Sequence, residues 1–266
     1  MLPCFRHLNS RRSALSIALL MGLMMAGVVR AEAAKKSRGR VITRPQFDPA
    51  AERVGLFTGM EAGQLEARIV AENSLGGSLR ITNNTDQPLT VELPEAFVAV
   101  QVSRQGFGGG GGLGGGQGGA GGGGGGGFFS VPPERTVSVP YNSVCLEHGK
   151  AEPNRRMRYV PVPMDSFTTD PIVHELLTMV STGRVSKAAA QAAAWNRAND
   201  MSWAELGAKT VKKNGQRVPY FQVSQLRYAE VLLATAKGRV REKAAEETSE
   251  TSSDTTAEPS IPSRVR

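Results

Sequence analysis

Between Gly63 and about Pro163, hydrophobic and polar positions alternate in short runs, the pattern of half-buried β-strands. The runs are rich in Val, Ile and Thr, and turn-forming stretches such as 83–88 separate them. This pattern predicts seven strands, at 65–71, 78–82, 89–93, 97–103, 135–139, 142–147 and 157–162. Seven short strands at this spacing are typical of an antiparallel sandwich or a small barrel.

From Asp170 onward the hydrophobic spacing becomes helical. Asp170 and Pro171 supply an N-cap and a first helical residue, and Gly183 is predicted to end that helix. Further helices are predicted at 186–198, from Ser202 in a capping-box sequence, and at 224–236 before Gly238. The predicted fold class is α+β, with an antiparallel β-sandwich-like body followed by a small helical segment.

The composition divides the chain into a domain and flanking segments. Residues 55–238 are predicted to form a single α+β domain. Residues 106–127 within this domain hold 18 of the 31 glycines and are predicted to form a disordered loop. Phosphate-binding loops need defined spacing and a following helix, which 106–127 lack. The leader 34–54 is basic and interrupted by prolines, and it is predicted to be flexible. The tail 239–266 has few apolar residues to bury and is predicted to be disordered.

Residues 1–33 have the pattern of an export signal. Three arginines at positions 6, 11 and 12 precede an apolar run at 14–29, and small residues at 31 and 33 offer a cleavage site. Because 16 residues are short for a bilayer span, a retained anchor is the less favoured alternative. The paired arginines also resemble a twin-arginine signal, so the export route stays open. The predicted location is periplasmic, cell-surface or extracellular, and no later stretch is apolar enough to cross a membrane.

The net charge of +8 belongs largely to the signal and the leader. A nucleic-acid-binding protein would need basic and aromatic residues interleaved on one face, which this sequence lacks, so no nucleic-acid partner is expected. Arg155, Arg156 and Arg158 form a small cluster before Tyr159. For an exported protein, an anionic surface polymer is the expected partner of such a patch.

Cysteine usage narrows the chemistry. Cys4 leaves with the predicted signal, so Cys145 has no partner for an internal disulfide. One cysteine with His148 and His174 does not make a structural metal site, and no metal or cofactor is expected. A lone thiol in an oxidising compartment should be buried or chemically masked.

The helix predicted at 186–198 is rich in alanine, so another backbone can approach it closely. Gln191 and Trp195 are four residues apart and share a face. One interpretation is a docking helix, in which Trp195 fills the core and Gln191 hydrogen-bonds to a strand end.

The segments around Cys145 and Gln191 together resemble a known family, the bacterial thioester domains of TQXA type found in surface adhesins. The matching residues are Cys145-Leu146 on a strand, then Gln191, Ala193 and Trp195 on a helix, with a preceding helix at 171–177. The resemblance covers residues 141–200 and implies an internal thioester, with Cys145 as nucleophile and Gln191 as acyl donor. It also implies a protecting pocket, assigned here to Trp195, Ala188 and Tyr141.

Three functions remain open. The first is a non-enzymatic, exported adhesion-type binding protein, with a surface protein or polysaccharide as target and a Cys145–Gln191 thioester for covalent attachment. The second is a structural envelope protein in which these residues merely pack. The third is a cysteine hydrolase using Cys145 with His148 or His174. The hydrolase is disfavoured because Cys145 and His148, three apart in an extended segment, should face opposite sides.

Overall fold

The structure, a computed structural model, describes residues 39–102, 117–118 and 127–253. The strands in this part of the chain are β1 Glu52–Gly55, β2 Leu65–Asn73, β3 Gly76–Asn83, β4 Leu89–Glu92, β5 Val98–Gln101, β6 Gln117–Gly118, β7 Phe128–Val131, β8 Thr136–Asn142, β9 Val144–Cys145, β10 Tyr159–Val162, β11 Thr210–Lys213 and β12 Gln216–Pro219. The helices are α1 Leu56–Glu61, α2 Pro171–Ser181, α3 Lys187–Ala198, α4 Trp203–Ala208 and α5 Val223–Ser253, with a 3₁₀ turn at Met164–Ser166.

In the described part of the chain, the larger sheet has seven strands in the order β8-β3-β2-β10-β5-β6-β9, with every neighbouring pair antiparallel. A three-stranded sheet has the order β1-β4-β7 and contains one parallel pair, β1 with β4. Alternating residues of both sheets share a core that includes Leu79, Ile81, Val91, Phe97 and Val131. The predicted α+β fold with a sandwich-like body is confirmed.

A second core lies between the helices and the β5–β9 end of the large sheet. Val98, Val144 and Leu146 pack there with residues of α2, α3 and α5. Because side chains alternate along a strand, Phe97 and Ala99 flank Val98 but belong to the first core. The sheet is therefore covered on both faces around Val98 of β5.

The helix boundaries follow from capping residues. The Asp170 carboxylate accepts a hydrogen bond from the backbone N–H of Ile172 at 2.9 Å. Gly183 follows α2 with φ of 69°, a conformation that favours glycine. Ser202 and Glu205 form the predicted capping box at the start of α4.

The prediction of a flexible leader at 34–54 is wrong for residues 39–54. Ile42 pairs with the outer edge of β8, since its N–H donates to Thr136 O at 2.9 Å and its carbonyl accepts from Ser138 N–H at 2.8 Å. Strand β1 begins at Glu52 and pairs with β4. An open strand edge carries unpaired backbone groups, and these segments cover two such edges. The ordered domain therefore begins before residue 55.

The prediction of a disordered tail from residue 239 is wrong as far as Ser253, because α5 continues through Gly238. The Glu175 carboxylate on α2 accepts hydrogen bonds from Arg239 at 3.0 Å and Lys243 at 2.7 Å, which hold this extension. Residues 254–266 lie outside the described part of the chain, as do 1–38, including the predicted signal.

The glycine-rich stretch 106–127 lies mostly outside the described residues. Within it, Gln117 and Gly118 form β6, which pairs with β5 on one side and β9 on the other, so the prediction of disorder is wrong at these two positions. The β11–β12 hairpin was not predicted. Among the described helices, none combines the length and the apolar character needed to span a membrane.

Candidate functional site

Cys145 and Gln191 are in direct contact although 46 positions separate them. The backbone N–H of Cys145 donates to Gln191 Oε1 at 2.8 Å, and Gln191 Nε2 donates to the Cys145 carbonyl at 2.8 Å. Gln191 is only 1% exposed. Its amide therefore occupies the place of a further strand beside β9, as the docking-helix interpretation predicts.

Asn199, at the end of α3, makes the same kind of contact further along. Its Oδ1 accepts from the backbone N–H of His148 at 2.8 Å, and its Nδ2 donates to the Leu146 carbonyl at 3.0 Å. Gln191 and Asn199 together form what we call the amide clamp. Asn199 was not identified from the sequence. The feature that could have indicated it is an amide side chain at the end of a predicted helix. The clamp satisfies backbone groups that have no strand neighbour on this side.

The small side chains of α3 let it pack closely within the helical core. Ala189, Ala190, Ala192 and Ala193 are fully buried in the helical core. A larger side chain at these positions would displace α3 within this core and so disturb the hydrogen bonds between Gln191 and Cys145.

The Cys145 side chain faces a small pocket of about 240 Å³. Its lining includes Glu147, His148, Trp195, Lys209 and Tyr220. The thiol donates to the Glu147 carbonyl at 3.1 Å. Burial raises the pKa of Cys145, and the backbone of Glu147 opposes that rise only in part. The thiol is therefore mainly protonated at neutral pH.

Trp195 forms the wall of this pocket and is 7% exposed. Its ring packs edge-on to His148, with the ring centres 4.7 Å apart, and lies 5.5 Å from Tyr220. The Lys209 ammonium lies over the Trp195 ring, 5.2 Å from its centre, and donates to His148 Nε2 at 2.8 Å. Burial and the positive charge of Lys209 both lower the pKa of His148, which keeps the imidazole neutral. The indole Nε1 of Trp195 is buried and has no hydrogen-bond partner among the described residues.

Two of the three residues predicted to protect the site do not line this pocket. Tyr141 points into the sandwich core, with its ring centre 5.8 Å from that of Phe97, because it shares the inward face of β8 with Val137 and Val139. Ala188 packs against the helical core instead. Trp195 is the predicted residue that does line the pocket.

The expectation that Cys145 and His148 face opposite sides is wrong, since both line the pocket. Strand β9 ends at Cys145, and the turn through Gly149, with φ of 85°, returns the chain. His174 lies elsewhere, with Nε2 2.6 Å from the Thr168 carbonyl, in a cavity lined also by Glu175. Neither His148 nor His174 is among the groups that lower the pKa of Cys145.

The described residues contain no group of three or more His, Cys, Asp or Glu side chains that could hold a metal ion. No family model, curated protein or solved structure matches the chain. Function must therefore be argued from the chemistry of Cys145, Gln191 and their surroundings.

Proposed function

We propose that the chain is an exported surface or periplasmic binding protein that attaches covalently to its target through a Cys145–Gln191 thioester. The observation that carries this proposal is the pair of hydrogen bonds that place the Gln191 carboxamide against Cys145. The resemblance to TQXA-type thioester domains links the same two residues, and the contact is independent support for that link.

The contact suits the chemistry of bond formation. The Cys145 sulfur attacks Cδ of Gln191, the bond from Cδ to Nε2 breaks, and the thiol proton leaves with the nitrogen as ammonia. The Cys145 N–H already donates to Oε1, so it can stabilise the negative charge that develops on that oxygen. Attack by an amine or hydroxyl of the target would then transfer the acyl group to it and return the thiol.

The surroundings suit a bond that must survive in water. Gln191 is buried between α3 and β9, and Trp195 walls the adjacent pocket. Exclusion of water slows hydrolysis of an acyl–sulfur bond. The pocket also gives a target nucleophile a route to the sulfur side of the bond.

A structural envelope protein without a reactive bond is the second candidate. It is favoured by the amide clamp, because Asn199 repeats the contacts of Gln191 at a position without a neighbouring cysteine. In that case Gln191 serves only to dock α3 onto β9.

Intact-mass measurement separates the two candidates. We expect a Cys4→Ser chain to be lighter by one ammonia than its sequence requires, and its Cys145 thiol to be unreactive until an added amine releases it. Cys145→Ala should restore full mass, whereas Asn199→Asp, a matched change in the other clamp residue, should keep the deficit. Full mass with a titratable thiol would reject the thioester and leave the structural candidate. Cys145-dependent turnover of an activated ester would reject both in favour of a hydrolase.

Export is tested separately. The protein recovered from its producing cell should lie outside the cytoplasm, with its amino terminus just after Ala33. A cytoplasmic protein that retains residues 1–33 would contradict this part of the proposal.

A further inference from the structure

A basic groove lies on the outer face of the large sheet and shares no lining residue with the Cys145 pocket among the described residues. It has a volume of about 590 Å³ and runs between β2 and the chain entering β10. Of the residues that the structure describes, four arginines, at positions 68, 155, 156 and 158, and one acidic residue, Glu66, line it. We call this surface the arginine groove.

Strand register shows how these cations are spaced. Ile69 and Tyr159 lie opposite each other in the β2–β10 pair, and both point into the sandwich core. Because side chains alternate, Arg68 and Arg158 lie on the outer face, as diagonal neighbours about 7–8 Å apart at their Cα atoms. Arg68 also lies directly opposite Arg80 of β3. The three arginines therefore lie on one face of the sheet, on β3, on β2 and just before β10.

Most of the groove arginines have no ion-pair partner among the described residues. Arg155 pairs with Glu72 at 2.7 Å. Among the described residues, Arg68, Arg156 and Arg158 have no ion-pair partner, and the buried Nε of Arg80 has no hydrogen-bond partner. Two like charges directly opposite each other destabilise a sheet, and an anion placed between them would relieve that repulsion.

From these arginines we infer that the arginine groove binds an anionic polysaccharide, with repeating carboxylate or sulfate groups on Arg68 and Arg158 in the groove and on Arg80 beside it, and with sugar rings on the apolar floor. That floor consists of Val70, Val102 and Val160, of which Val102 is exposed. The inference names the partner class of the proposed surface protein and rests on its export, which would bring it to such polymers. It does not depend on the thioester.

A polysaccharide fits this groove better than other polyanions. Binding of single-stranded nucleic acid uses exposed aromatic faces for base stacking, and the aromatic residue of the groove, Tyr159, is 3% exposed. Membrane binding by a surface segment uses bulky apolar residues beside the cations. At the arginine groove the exposed large apolar residue is one valine, Val102.

The test measures binding of the purified Cys4→Ser chain to dextran sulfate and polygalacturonate, with neutral dextran as the uncharged comparison. We expect Arg68→Gln/Arg158→Gln to weaken binding to both polyanions about tenfold or more and to lower the dependence of log affinity on log salt by about two, one for each cation. Lys212→Gln/Lys213→Gln removes the same charge from the exposed β11–β12 hairpin and should change affinity less than twofold. Unchanged circular dichroism and thermal unfolding would show that both variants are folded.

Each other outcome rejects the inference. Equal losses in both double variants would show general attraction by net charge. Groove-dependent binding that is tighter to duplex DNA, or to phosphatidylglycerol vesicles, would assign the groove to nucleic acid or to membrane. Since Cys145→Ala should bind the polyanions normally, loss of the thioester and loss of groove binding can be told apart.

Discussion

Gln191 lies beside Cys145 as a residue of a neighbouring strand would, with both of its amide atoms 2.8 Å from backbone atoms of Cys145. A helix has no free backbone groups along its side, so it cannot extend a sheet except through side chains. Gln191 and Asn199 provide those side chains. The amide clamp thereby joins the helical core to the sheet at the residue that carries the thiol.

Removing Gln191 should destabilise the protein even where no thioester can form. In a Cys145→Ala background, Gln191→Ala leaves a buried N–H and a carbonyl of residue 145 without partners and creates a cavity, at a cost of roughly 3–5 kcal/mol. Asn199→Ala in the same background should cost about 1 kcal/mol, because Asn199 is partly exposed. Urea unfolding measures both. Equal losses in the two variants would show that Gln191 contributes no more than a surface contact.

Gly238 tests the continuity of α5. Gly238 lies in the interior of α5, with open space where a side chain would go. Gly238→Ala should therefore raise the free energy of unfolding by about 0.5–1 kcal/mol. A helix that ended here on a left-handed glycine would instead be destabilised by the same change. Gly183→Ala is the matched control and should cost about 1 kcal/mol or more, because Gly183 has φ of 69° and its added Cβ would lie 2.9 Å from Asn142. Chemical denaturation of the two variants should give opposite signs.

Glu175 should make stability depend on acid pH. Burial raises the pKa of this carboxyl, but the hydrogen bonds and charges of Lys243 and Arg239 together outweigh burial and lower it below the ordinary value. A lowered pKa means that the stabilisation is complete above the ordinary pKa near 4.5 and is lost as the pH falls through the folded-state value. Glu175→Gln should therefore cost about 1–3 kcal/mol at pH 7 and much less near pH 3.

The control for Glu175 is Glu72→Gln, which breaks an exposed pair with Arg155 of the same 2.7 Å length. It should change the free energy of unfolding by less than about 0.5 kcal/mol at either pH. Urea unfolding at several pH values gives both results. A loss for Glu175→Gln that stays constant from pH 7 to pH 3 would contradict the role of its charge.

Local sequence signals predicted most of the fold because they describe short-range physics. Each of the seven predicted strands has a counterpart, and the caps at Asp170 and Ser202 form as predicted. The end of α5 was missed because Gly238 was read as a stop, whereas the ion pairs of Glu175 with Arg239 and Lys243 depend on α2 packing against α5. The pairings of Ile42 with β8 and of β1 with β4 are likewise tertiary contacts, invisible in the leader's composition.

The candidate site divides in the same way. The contact of Gln191 with Cys145 followed from residue types and a family resemblance. The position of His148 depends on where β9 ends. The contact of Asn199 depends on how far the chain after β9 runs beside α3. Both positions depend on how the elements pack in the folded protein, and the alternation of side chains along a single strand does not predict that packing.

Asp170 should couple the start of α2 to the end of α3. Its Oδ1 accepts from the Ile172 N–H at 2.9 Å, while its Oδ2 accepts from Arg197 Nε at 2.6 Å. Asp170→Asn keeps an acceptor for the cap and loses the charge, at a cost of about 0.5–1 kcal/mol, whereas Asp170→Ala loses both contacts and should cost about 1.5–2 kcal/mol. Arg197→Gln should cost about as much as Asp170→Asn, because each change removes the same ion pair. The double variant Asp170→Asn/Arg197→Gln should therefore cost little more than either single change. Additive losses in urea unfolding would mean that the carboxylate and the guanidinium stabilise their helices separately.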